Sequence, residues 1–205
     1  MFSGIVATTG RIVHIAHAER GLRLTIEAAE LGLDDVRIGD SIAVSGVCLT
    51  VTALQGSSFT VDVSRETLYC TAGLGLPGEV NLEKYLTLAD RLGGHLVSGH
   101  VDGVGEVRRF VRAGESWELV VRAPTSLAKY VARKGSITID GVSLTVNRVE
   151  DVDGGCDFSI NLIPHTLALT NLKTLQAGRR VNLEVDLIAR YVERMLTAAS
   201  KVSDQ

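Results

Sequence analysis

The stretch Gly46-Val47-Cys48-Leu49-Thr50-Val51 occurs twice in this chain, and the repetition decides how the fold is organised. Its second copy, at residues 141–146, reads Gly-Val-Ser-Leu-Thr-Val, so that only the third residue differs. A further motif, Val-Asn-Leu-Glu, stands at residues 80–83 and recurs letter for letter at residues 181–184. A long period that is present only twice is typical of a duplicated domain rather than of a solenoid. The chain is therefore predicted to contain two copies of one module of about 90 residues.

The composition is that of a globular protein with aliphatic cores. Of the 205 residues, 45% are hydrophobic but only 4% are aromatic, so valine, leucine, isoleucine and alanine have to build the cores. The net charge is −3 and no run of lysine or arginine forms a basic stripe, which argues against a nucleic-acid partner. No stretch approaches ~18 consecutive apolar residues and no signal peptide is evident, so no membrane partner is expected. The three cysteines, an odd number, fit a reducing cytoplasm.

Most of each module is predicted to be β-strand. Stretches rich in β-branched residues alternate with glycine, aspartate and serine turn signals. The predicted strands are residues 11–15, 23–28, 41–51 and 59–63 in the first copy and residues 105–111, 118–123, 136–147 and 157–162 in the second. Several short strands with little room for crossover helices favour an all-β fold, with one small antiparallel barrel in each module.

The C-terminal residues differ from both modules. From Leu187 onward apolar residues recur at helical spacing, and Asp186 is placed to cap the helix N-terminus. The apolar residues of this pattern are Leu187, Ile188, Tyr191, Val192, Met195 and Leu196. The pattern predicts an amphipathic helix with one apolar face. Two interpretations are open: the face packs on its own barrel, or it associates with other subunits.

The repeated strand separates apolar from polar side chains, because residues i and i+2 of a strand share a face. In the first copy Val47, Leu49 and Val51 point one way, while Cys48 and Thr50 point the other. The apolar set is predicted to face the core, so Cys48 and Thr50 face outward. By the same rule, the outward residues of the other strands include Ser143, Thr145, Asp62, Ser64 and Asn161.

Each module thus presents small hydroxyl, amide and carboxylate groups outside its core. Such a face suits a polar small molecule such as a polyol or a heterocycle, although an ordinary solvated strand face has the same composition. The presence of the same patch in both copies favours a pair of ligand sites.

Several common chemistries lack their motifs. The glycine-rich stretch at residues 93–105 leads into a predicted strand rather than a helix, which argues against a dinucleotide-binding loop. Five histidines and three cysteines show no metal-ligand spacing, and neither a Walker motif nor a nucleophile elbow is present. Cys48 fits a small unreactive thiol better than a nucleophile. No metal and no organic cofactor are therefore expected.

Four motifs together closely resemble the riboflavin synthase family of the α-chain type. They are Met1-Phe2-Ser3-Gly4-Ile5-Val6, the twin hexapeptides, Ser98-Gly99-His100-Val101-Asp102-Gly103 and Ile163-Pro164-His165-Thr166-Leu167. The resemblance covers essentially the whole chain. It implies two tandem homologous Greek-key six-stranded β-barrels that bind lumazine, at residues 1–94 and 95–186, followed by a trimerisation helix and tail at residues 187–205.

The resemblance also implies an activity. Members of this family are cofactor-free transferases in which two molecules of 6,7-dimethyl-8-ribityllumazine exchange a four-carbon unit. The products are riboflavin and 5-amino-6-(D-ribitylamino)uracil. A reaction between two identical molecules explains a duplicated binding module, since holding both reactants in place lowers the barrier. A homotrimer is implied, whereas these motifs leave association with lumazine synthase open.

The implied substrate-binding residues form two sets. The first pocket is expected to use Gly4, Ile5, Val6, Cys48, Leu49, Thr50, Asp62, Val63, Ser64, Arg65, Glu66 and Thr67. The second is expected to use Gly99, His100, Val101, Lys134, Ser143, Leu144, Thr145, Asn161, Leu162, Ile163, Pro164, His165 and Thr166. Backbone groups of the two glycine segments are expected to pair with the pteridine edge. Ser64, Thr67, Asn161 and Thr166 are expected to bind the ribityl hydroxyls.

Five residues are expected to carry the chemistry. The 7-methyl group of the lumazine is acidic because its carbanion delocalises into the ring, and His100 is best suited to carry its proton near neutral pH. Ser143 and Thr145 are expected to place a hydroxyl group or a water at the electrophilic C7. Cys48 is expected to do the same in the other pocket, with Asp186 as the orienting group.

A donor and an acceptor also require the two copies to differ. The differing matched pairs include Ile5 with His100, Cys48 with Ser143, Ser45 with Asp140, Gly39 with Lys134 and Tyr85 with Asp186.

Two other functions compete with this one. A non-catalytic optical protein of the same fold that binds lumazine or flavin would need only one competent pocket, whereas both copies here keep their hydroxyl pairs. A flavin-binding reductase barrel would need a nicotinamide-binding α/β domain, and the sequence contains no βαβ pattern.

Overall fold

The computed structural model describes residues 1–203 and consists mainly of β-strands. The first half contains β1 (Thr8–Ala18), β2 (Gly21–Glu27), β3 (Ser41–Val44), β4 (Val47–Gln55), β5 (Ser58–Ser64), helix α1 (Arg65–Cys70) and β6 (Gly78–Lys84). The second half contains β7 (Gly103–Ala113), β8 (Ser116–Pro124), α2 (Thr125–Ala128), β9 (Ser136–Ile139), β10 (Val142–Thr145), β11 (Arg148–Val152), β12 (Gly155–Leu162), α3 (Pro164–Leu169) and β13 (Arg180–Val185). Two 3₁₀ turns, Ala29–Leu31 and Asn171–Thr174, and helix α4 (Leu187–Ser203) complete the described chain.

The first six strands form a closed antiparallel barrel in the order β1-β2-β5-β4-β3-β6. Strand β6 closes the barrel by pairing with β1, where Thr8 faces Leu82, and with β3, where Ile42 faces Lys84. Strands β3, β4 and β5 are consecutive neighbours and β6 returns beside β3, which is a Greek-key arrangement. The predicted six-stranded barrel is confirmed for the first module.

The second half forms one sheet of seven strands rather than six, in the order β10-β9-β13-β7-β8-β12-β11. Its edge strands β10 and β11 follow each other in the chain, so the sheet curls round on itself. The counterpart of β4 is interrupted here at Val146 and Asn147, whereas β4 has a bulge just after Val51. Asn147 N donates to Ser159 O at 2.8 Å beside the interruption. The seventh strand therefore arises from one break in a strand that is continuous in the first module.

Two of the predicted strands are β-hairpins. Residues 41–51 and 136–147 each turn back on themselves, at Ser45-Gly46 and at Asp140-Gly141. The φ angles are 44° and 82° in the first turn and 47° and 81° in the second. Two successive positive φ angles define a type I′ turn, which matches the twist of the flanking strands and favours glycine at its second position. The single-strand prediction is wrong, and the glycine within each apolar run was the signal for the turn.

Each barrel has its own apolar core, built by alternation along the strands. In β4 the side chains of Val47, Leu49 and Val51 are buried, Cys48 is half-buried and Thr50 is exposed. In strand β10 Val142 is buried and Leu144 packs against the core, while Ser143 is half-buried and Thr145 is exposed. The predicted separation of core and outer faces is confirmed. This places the small polar groups of both modules outside the cores.

The two modules cover each other's cores. Val6, which precedes the first strand, belongs to the core of the second barrel, whereas Val101 packs against the core of the first. Between these contacts Phe2 and Val97 form an antiparallel bridge, with N–H···O distances of 2.8 and 3.1 Å. The segment before the first strand of each module is therefore exchanged with the other module.

Two buried asparagines of the repeated Val-Asn-Leu-Glu motif connect the modules. Asn81 Nδ2 donates to Asp140 O at 2.9 Å, and Asn182 Nδ2 donates to Ser45 O at 3.0 Å. Each side-chain oxygen also accepts a hydrogen bond of 2.7 Å from a backbone N–H of the opposite module. Ser45 and Asp140, expected to distinguish the two pockets, lie at this joint instead. Since buried amides need partners, the crossed bonds fix how the modules meet.

Asp140 makes this joint sensitive to pH. Its side chain is 5% exposed, and its Oδ1 accepts a hydrogen bond of 2.8 Å from Asn182 N. Burial raises the pKa of Asp140 to about 6, against the hydrogen bond from Asn182 and the charge of Arg179, which lower it. This pKa lies above that of an aspartate in the unfolded chain. Protonated Asp140 therefore makes its full contribution to the free energy of unfolding below about pH 4, and this contribution is lost as the pH rises through about 6.

Helix α4 follows the second barrel directly. Asp186 Oδ1 accepts a hydrogen bond of 2.9 Å from the first turn, which confirms the predicted cap. An ion pair of 2.5 Å between Arg190 and Asp102 connects the helix to its own barrel. The exposed apolar residues of the helix are Ile188, Tyr191, Val192, Met195 and Leu196. Five of the six apolar residues of the predicted face are therefore exposed, while Leu187 is half-buried. Residues 204–205 of the predicted helix and tail lie outside the described chain.

Across residues 1–203, no helix has the length and the apolar content needed to cross a membrane.

We predict that Asp140→Asn stabilises the protein at pH 7.5. The neutral amide removes the cost of burying a charge, keeps an acceptor for Asn182 and suits the positive φ of 47°. The expected gain in the free energy of unfolding is on the order of 2 kcal/mol at pH 7.5 and much smaller at pH 4. Thermal unfolding at both pH values measures it, with exposed Asp34→Asn as the matched control. A lower melting temperature for Asp140→Asn at pH 7.5 would contradict this account.

Candidate active site

Two equivalent sites arise where a glycine segment of one module lies against the repeated strand of the other. Ser143 N donates to Gly4 O at 2.7 Å, and Cys48 N donates to Gly99 O at 2.8 Å. The glycines have φ angles of 74° and 78°. A Cβ on Gly4 would lie 2.6 Å from Ser143 Cβ, and one on Gly99 would lie 2.7 Å from Cys48 Cβ. Only glycine permits both the conformation and the close approach.

A buried glutamate holds each glycine segment. Glu83 accepts hydrogen bonds of 2.7 Å from both Ser3 N and Ser3 Oγ and one of 3.0 Å from Gly4 N. Glu184 accepts the equivalent bonds from Ser98 and its neighbour, at 2.7, 2.6 and 3.0 Å. Burial raises the pKa of both glutamates, and these hydrogen bonds oppose the rise. The segments are thus fixed in place before any ligand arrives.

The structure exchanges the glycine segments between the two expected pockets. Residues 4–6, expected beside Cys48, lie beside Ser143, and residues 99–101, expected beside Ser143, lie beside Cys48. The expected grouping is wrong, although the segments themselves were correctly singled out. A sequence period shows which residues are equivalent, but it carries no information about which barrel each segment contacts.

The first site lies over β4 and α1. It is a cavity of about 210 Å³ lined by Val47, Cys48, Glu66, Thr67, Cys70, Thr71, Gly99, His100 and Val101. His100, expected to act beside Ser143, therefore comes together with Cys48 instead. Its side chain is exposed and Cys48 is half-buried, so both are within reach of a ligand in this cavity.

The second site lies over β10 and includes a histidine that was not singled out in the sequence analysis. His95 Nδ1 lies 2.8 Å from Ser143 Oγ. Burial lowers the pKa of His95, and the nearby carboxylate of Asp186 opposes this effect. Thr145 shares the outer face of β10 with Ser143 and is exposed, as is Ile5. The structure thus brings Ser143 and Thr145 to one site, together with the charge of Asp186, which was expected beside Cys48.

The polar groups of residues 62–67 are paired within the first module. Arg23 contacts Asp62 through two hydrogen bonds, of 2.7 and 2.8 Å, and thereby lowers the pKa of Asp62. Ser64 caps α1, because its Oγ accepts a hydrogen bond of 3.0 Å from Thr67 N. The two hydroxyl oxygens are 2.9 Å apart and exposed. This pair is well suited to a polyol, whereas Asp62 is engaged by Arg23. Arg65 Nη2 is 3.3 Å from a backbone oxygen of the β1–β2 turn.

The equivalent residues 161–166 differ in detail. Asn161 Oδ1 accepts a hydrogen bond of 2.7 Å from Ser116 Oγ. Ile163 stands at the capping position of α3, and Pro164 begins the helix in place of a hydroxyl cap. Thr166 is half-buried, while Ile163, Pro164 and His165 are exposed. The second module thus keeps the threonine hydroxyl, at Thr166, but has the apolar Ile163 where the first module has the Ser64 hydroxyl.

Some of the expected binding residues can use only their backbone. Leu49, Val63 and Leu162 are buried in the barrel cores, and Leu144 packs against the second core. Lys134, by contrast, has an exposed side chain and a φ angle of 68°. Left-handed backbone costs a non-glycine residue about 1 kcal/mol. A lysine in a conformation that its counterpart glycine adopts freely is consistent with a role for the side chain.

Three residues that build the two sites were not assigned a role from the sequence. They are Glu83, Glu184 and His95. The repeated Val-Asn-Leu-Glu motif was the available signal for the glutamates, while His95 stands in a glycine-rich stretch without a repeat partner. Among residues 1–203, no group of three or more histidine, cysteine, aspartate or glutamate side chains is arranged to hold a metal ion.

Known proteins share this architecture. The lumazine binding domain family matches residues 3–84 and 98–186. The riboflavin synthase of Photobacterium leiognathi is 46% identical over 199 residues, which cover 96% of this chain and 89% of that protein. The riboflavin synthase of Mycobacterium tuberculosis (strain ATCC 25618 / H37Rv) is 47% identical over 206 residues, covering 97% of this chain and 100% of that protein. That of Bacillus subtilis (strain 168) is 41% identical over 208 residues, covering 100% and 94%.

Solved structures show the same fold. LumP complexed with riboflavin superposes with a TM-score of 0.80 at 28% identity, over 90% of this chain and 99% of LumP. LumP complexed with 6,7-dimethyl-8-(1'-D-ribityl) lumazine gives a TM-score of 0.78 at 27% identity, over the same shares of both chains. The family match covers both modules, and the more similar relatives are full-length riboflavin synthases. The chain therefore belongs to the lumazine-binding domain family and, within it, to the riboflavin synthases.

Proposed function

We propose that this chain catalyses the dismutation of two molecules of 6,7-dimethyl-8-ribityllumazine. A four-carbon unit passes from one lumazine to the other, which makes the enzyme a transferase and yields riboflavin and 5-amino-6-(D-ribitylamino)uracil. One observation carries the proposal. Each of two equivalent sites places a glutamate-held glycine segment of one module against the polar face of the repeated strand in the other.

The two sites are suited to bind the same heterocycle. The backbone of residues 4–6 and 99–101 is fixed by buried glutamates, so its donors and acceptors are in place for the imide edge of a pteridine. Preorganised groups of this kind lose little conformational freedom on binding. The hydroxyls of Ser64 and Thr67, and in the second module Asn161 and Thr166, bind the ribityl chain. Family membership supports this assignment.

The two sites contain different side chains and therefore perform different chemistry. In the first site His100 stands beside Cys48, where it takes the acidic proton of a bound lumazine's 7-methyl group. In the second site Ser143 and Thr145 present hydroxyls that add to C7, or direct a water to it, with Asp186 close by. Both reactants are the same compound, so the carbons are redistributed between them and the reaction requires no cofactor.

The active enzyme is a homotrimer in which one subunit completes the site of another. The cavity at Cys48 measures about 210 Å³, below the roughly 300–1,000 Å³ usual for a small-molecule pocket. A neighbouring subunit that covers this cavity brings the second lumazine to the first. The exposed apolar stripe of α4 supports self-association, because each buried large apolar side chain contributes about 1.5–3 kcal/mol. Three free cysteines fit a reducing cytoplasm.

The competing function, a non-catalytic carrier of lumazine or flavin, is less well supported. LumP shares the fold but is less identical to this chain than the riboflavin synthases are. Both sites here keep the close glycine contact and the outward hydroxyl or thiol, as a reaction between two bound molecules requires.

A turnover assay tests the proposed function. The purified protein is mixed with 6,7-dimethyl-8-ribityllumazine, and riboflavin is followed by its absorbance and by chromatography. We expect catalytic turnover with one riboflavin formed for every two lumazines consumed. A carrier would bind the lumazine without consuming it, and that result would overturn the proposal.

His100→Ala is expected to lower kcat by about 10²-fold while changing lumazine affinity far less, because general acid–base catalysis typically supplies 10²–10⁴-fold. Steady-state kinetics and a fluorescence titration with the lumazine separate the two effects. His17→Ala, at an exposed position of β1, is the matched control. Wild-type kcat in His100→Ala would show that another group carries the proton.

Met195→Glu is expected to dissociate the trimer, because it places a charge in the middle of the apolar stripe of α4. Met195→Leu keeps the stripe apolar and serves as the control. Sedimentation velocity measures the mass of both variants. If Met195→Glu retains three times the protomer mass, α4 is not the principal contact between subunits.

A further inference from the structure

His95 occupies an unusual position in the second site. Its Nδ1 lies 2.8 Å from Ser143 Oγ. His95 belongs to the segment between β6 and β7 that joins the modules, so this contact connects that segment to strand β10. The ring is half-buried, and its Nε2 is buried without a partner among the described residues. A buried polar atom left unpaired costs about 1–3 kcal/mol. The histidine is therefore not explained as a residue that simply stabilises the fold.

The backbone holds His95 over Ser143. His95 N donates to Ser3 O at 3.1 Å. A Cβ on the preceding Gly94 would lie 2.1 Å from Ser3 O and 2.9 Å from Ser143 Cβ, so the backbone packs closely against the site here. The close packing of this backbone therefore holds the imidazole beside the Ser143 hydroxyl.

We propose that His95 is a positioning residue that directs the Ser143 hydroxyl toward the bound lumazine. This inference rests on the proposed function. Ser143 Oγ donates its proton to His95 Nδ1, which leaves the oxygen lone pairs turned toward C7 of the substrate. Burial lowers the pKa of His95 and so favours the neutral ring. The bond from Ser143 requires the tautomer in which Nε2 carries the proton, so that the unprotonated Nδ1 accepts it. The imidazole acts through the serine and does not itself touch the reacting atoms.

The same contact distinguishes the two sites. At the first site the matched position is Cys48, whose cavity is lined by His100 from the opposite module, with Glu66 and Cys70 from α1. His100 N is bonded to Ser98 Oγ at 3.2 Å, and its side chain is exposed rather than held over the strand. A directed hydroxyl is therefore particular to the Ser143 site, which gives two otherwise similar pockets unlike reactivity.

A double-mutant cycle on the full-length enzyme tests the inference. His95→Ala, Ser143→Ala and the double variant are compared with wild type for kcat, KM and lumazine affinity. We expect His95→Ala to lower kcat at least tenfold with less than a threefold change in affinity. If His95 acts through Ser143, the double variant is no slower than Ser143→Ala. Multiplicative losses in the double variant would overturn the inference.

His95→Asn and His95→Gln sharpen the test. Asparagine places a polar atom close to the position of Nδ1, so His95→Asn is expected to retain several-fold more kcat than His95→Ala, whereas His95→Gln is not. Equal loss in all three variants with unchanged melting temperatures would also overturn the inference. If the wild-type protein shows no turnover, the proposed function itself is contradicted. If the wild type turns over but the effects of His95→Ala and Ser143→Ala are independent of each other, only this inference is contradicted.

Discussion

The fold depends on buried polar side chains that cross between the two modules. Asn81 and Asn182 each hydrogen-bond the backbone of the opposite module, and the glutamates two positions later in β6 and β13 hold the glycine segments. An unpaired buried amide or carboxylate costs about 1–3 kcal/mol or more, so these partners have to be present together. The strands that organise each sheet therefore also fix how the modules meet and where the two sites form.

The two sites have nearly the same backbone geometry but different side chains. The glycine contacts at Ser143 and Cys48 differ by only 0.1 Å, since the N–H···O distances are 2.7 and 2.8 Å. What differs is the side chain that each site receives. His95 lies on Ser143, while His100 shares a cavity with Cys48. A reaction in which one of two identical molecules gives carbons and the other accepts them requires this combination of equal binding and unequal chemistry.

The sequence predicted the duplication, the all-β class, the inner and outer faces of the repeated strands and the capped C-terminal helix. These features follow from local periodicity, and the buried Val47 and Val51 and the capping Asp186 confirm them. The hairpin turns were missed because a glycine inside an apolar run was interpreted as part of a strand. The seventh strand was missed because a bulge and a break at equivalent positions leave the same sequence pattern. The roles of the expected substrate-binding residues remain a prediction.

The sequence by itself determined which residues are equivalent, because a repeat is a property of the letters and the strand period is a property of the backbone. Only the tertiary structure decided which residues meet. It placed residues 4–6 on the second barrel and residues 99–101 on the first, assigned Ser45 and Asp140 to the joint, and brought His95 to Ser143. The physical reason is that these contacts join residues far apart in the chain. Their formation depends on satisfying buried hydrogen bonds between the modules, which no local pattern encodes.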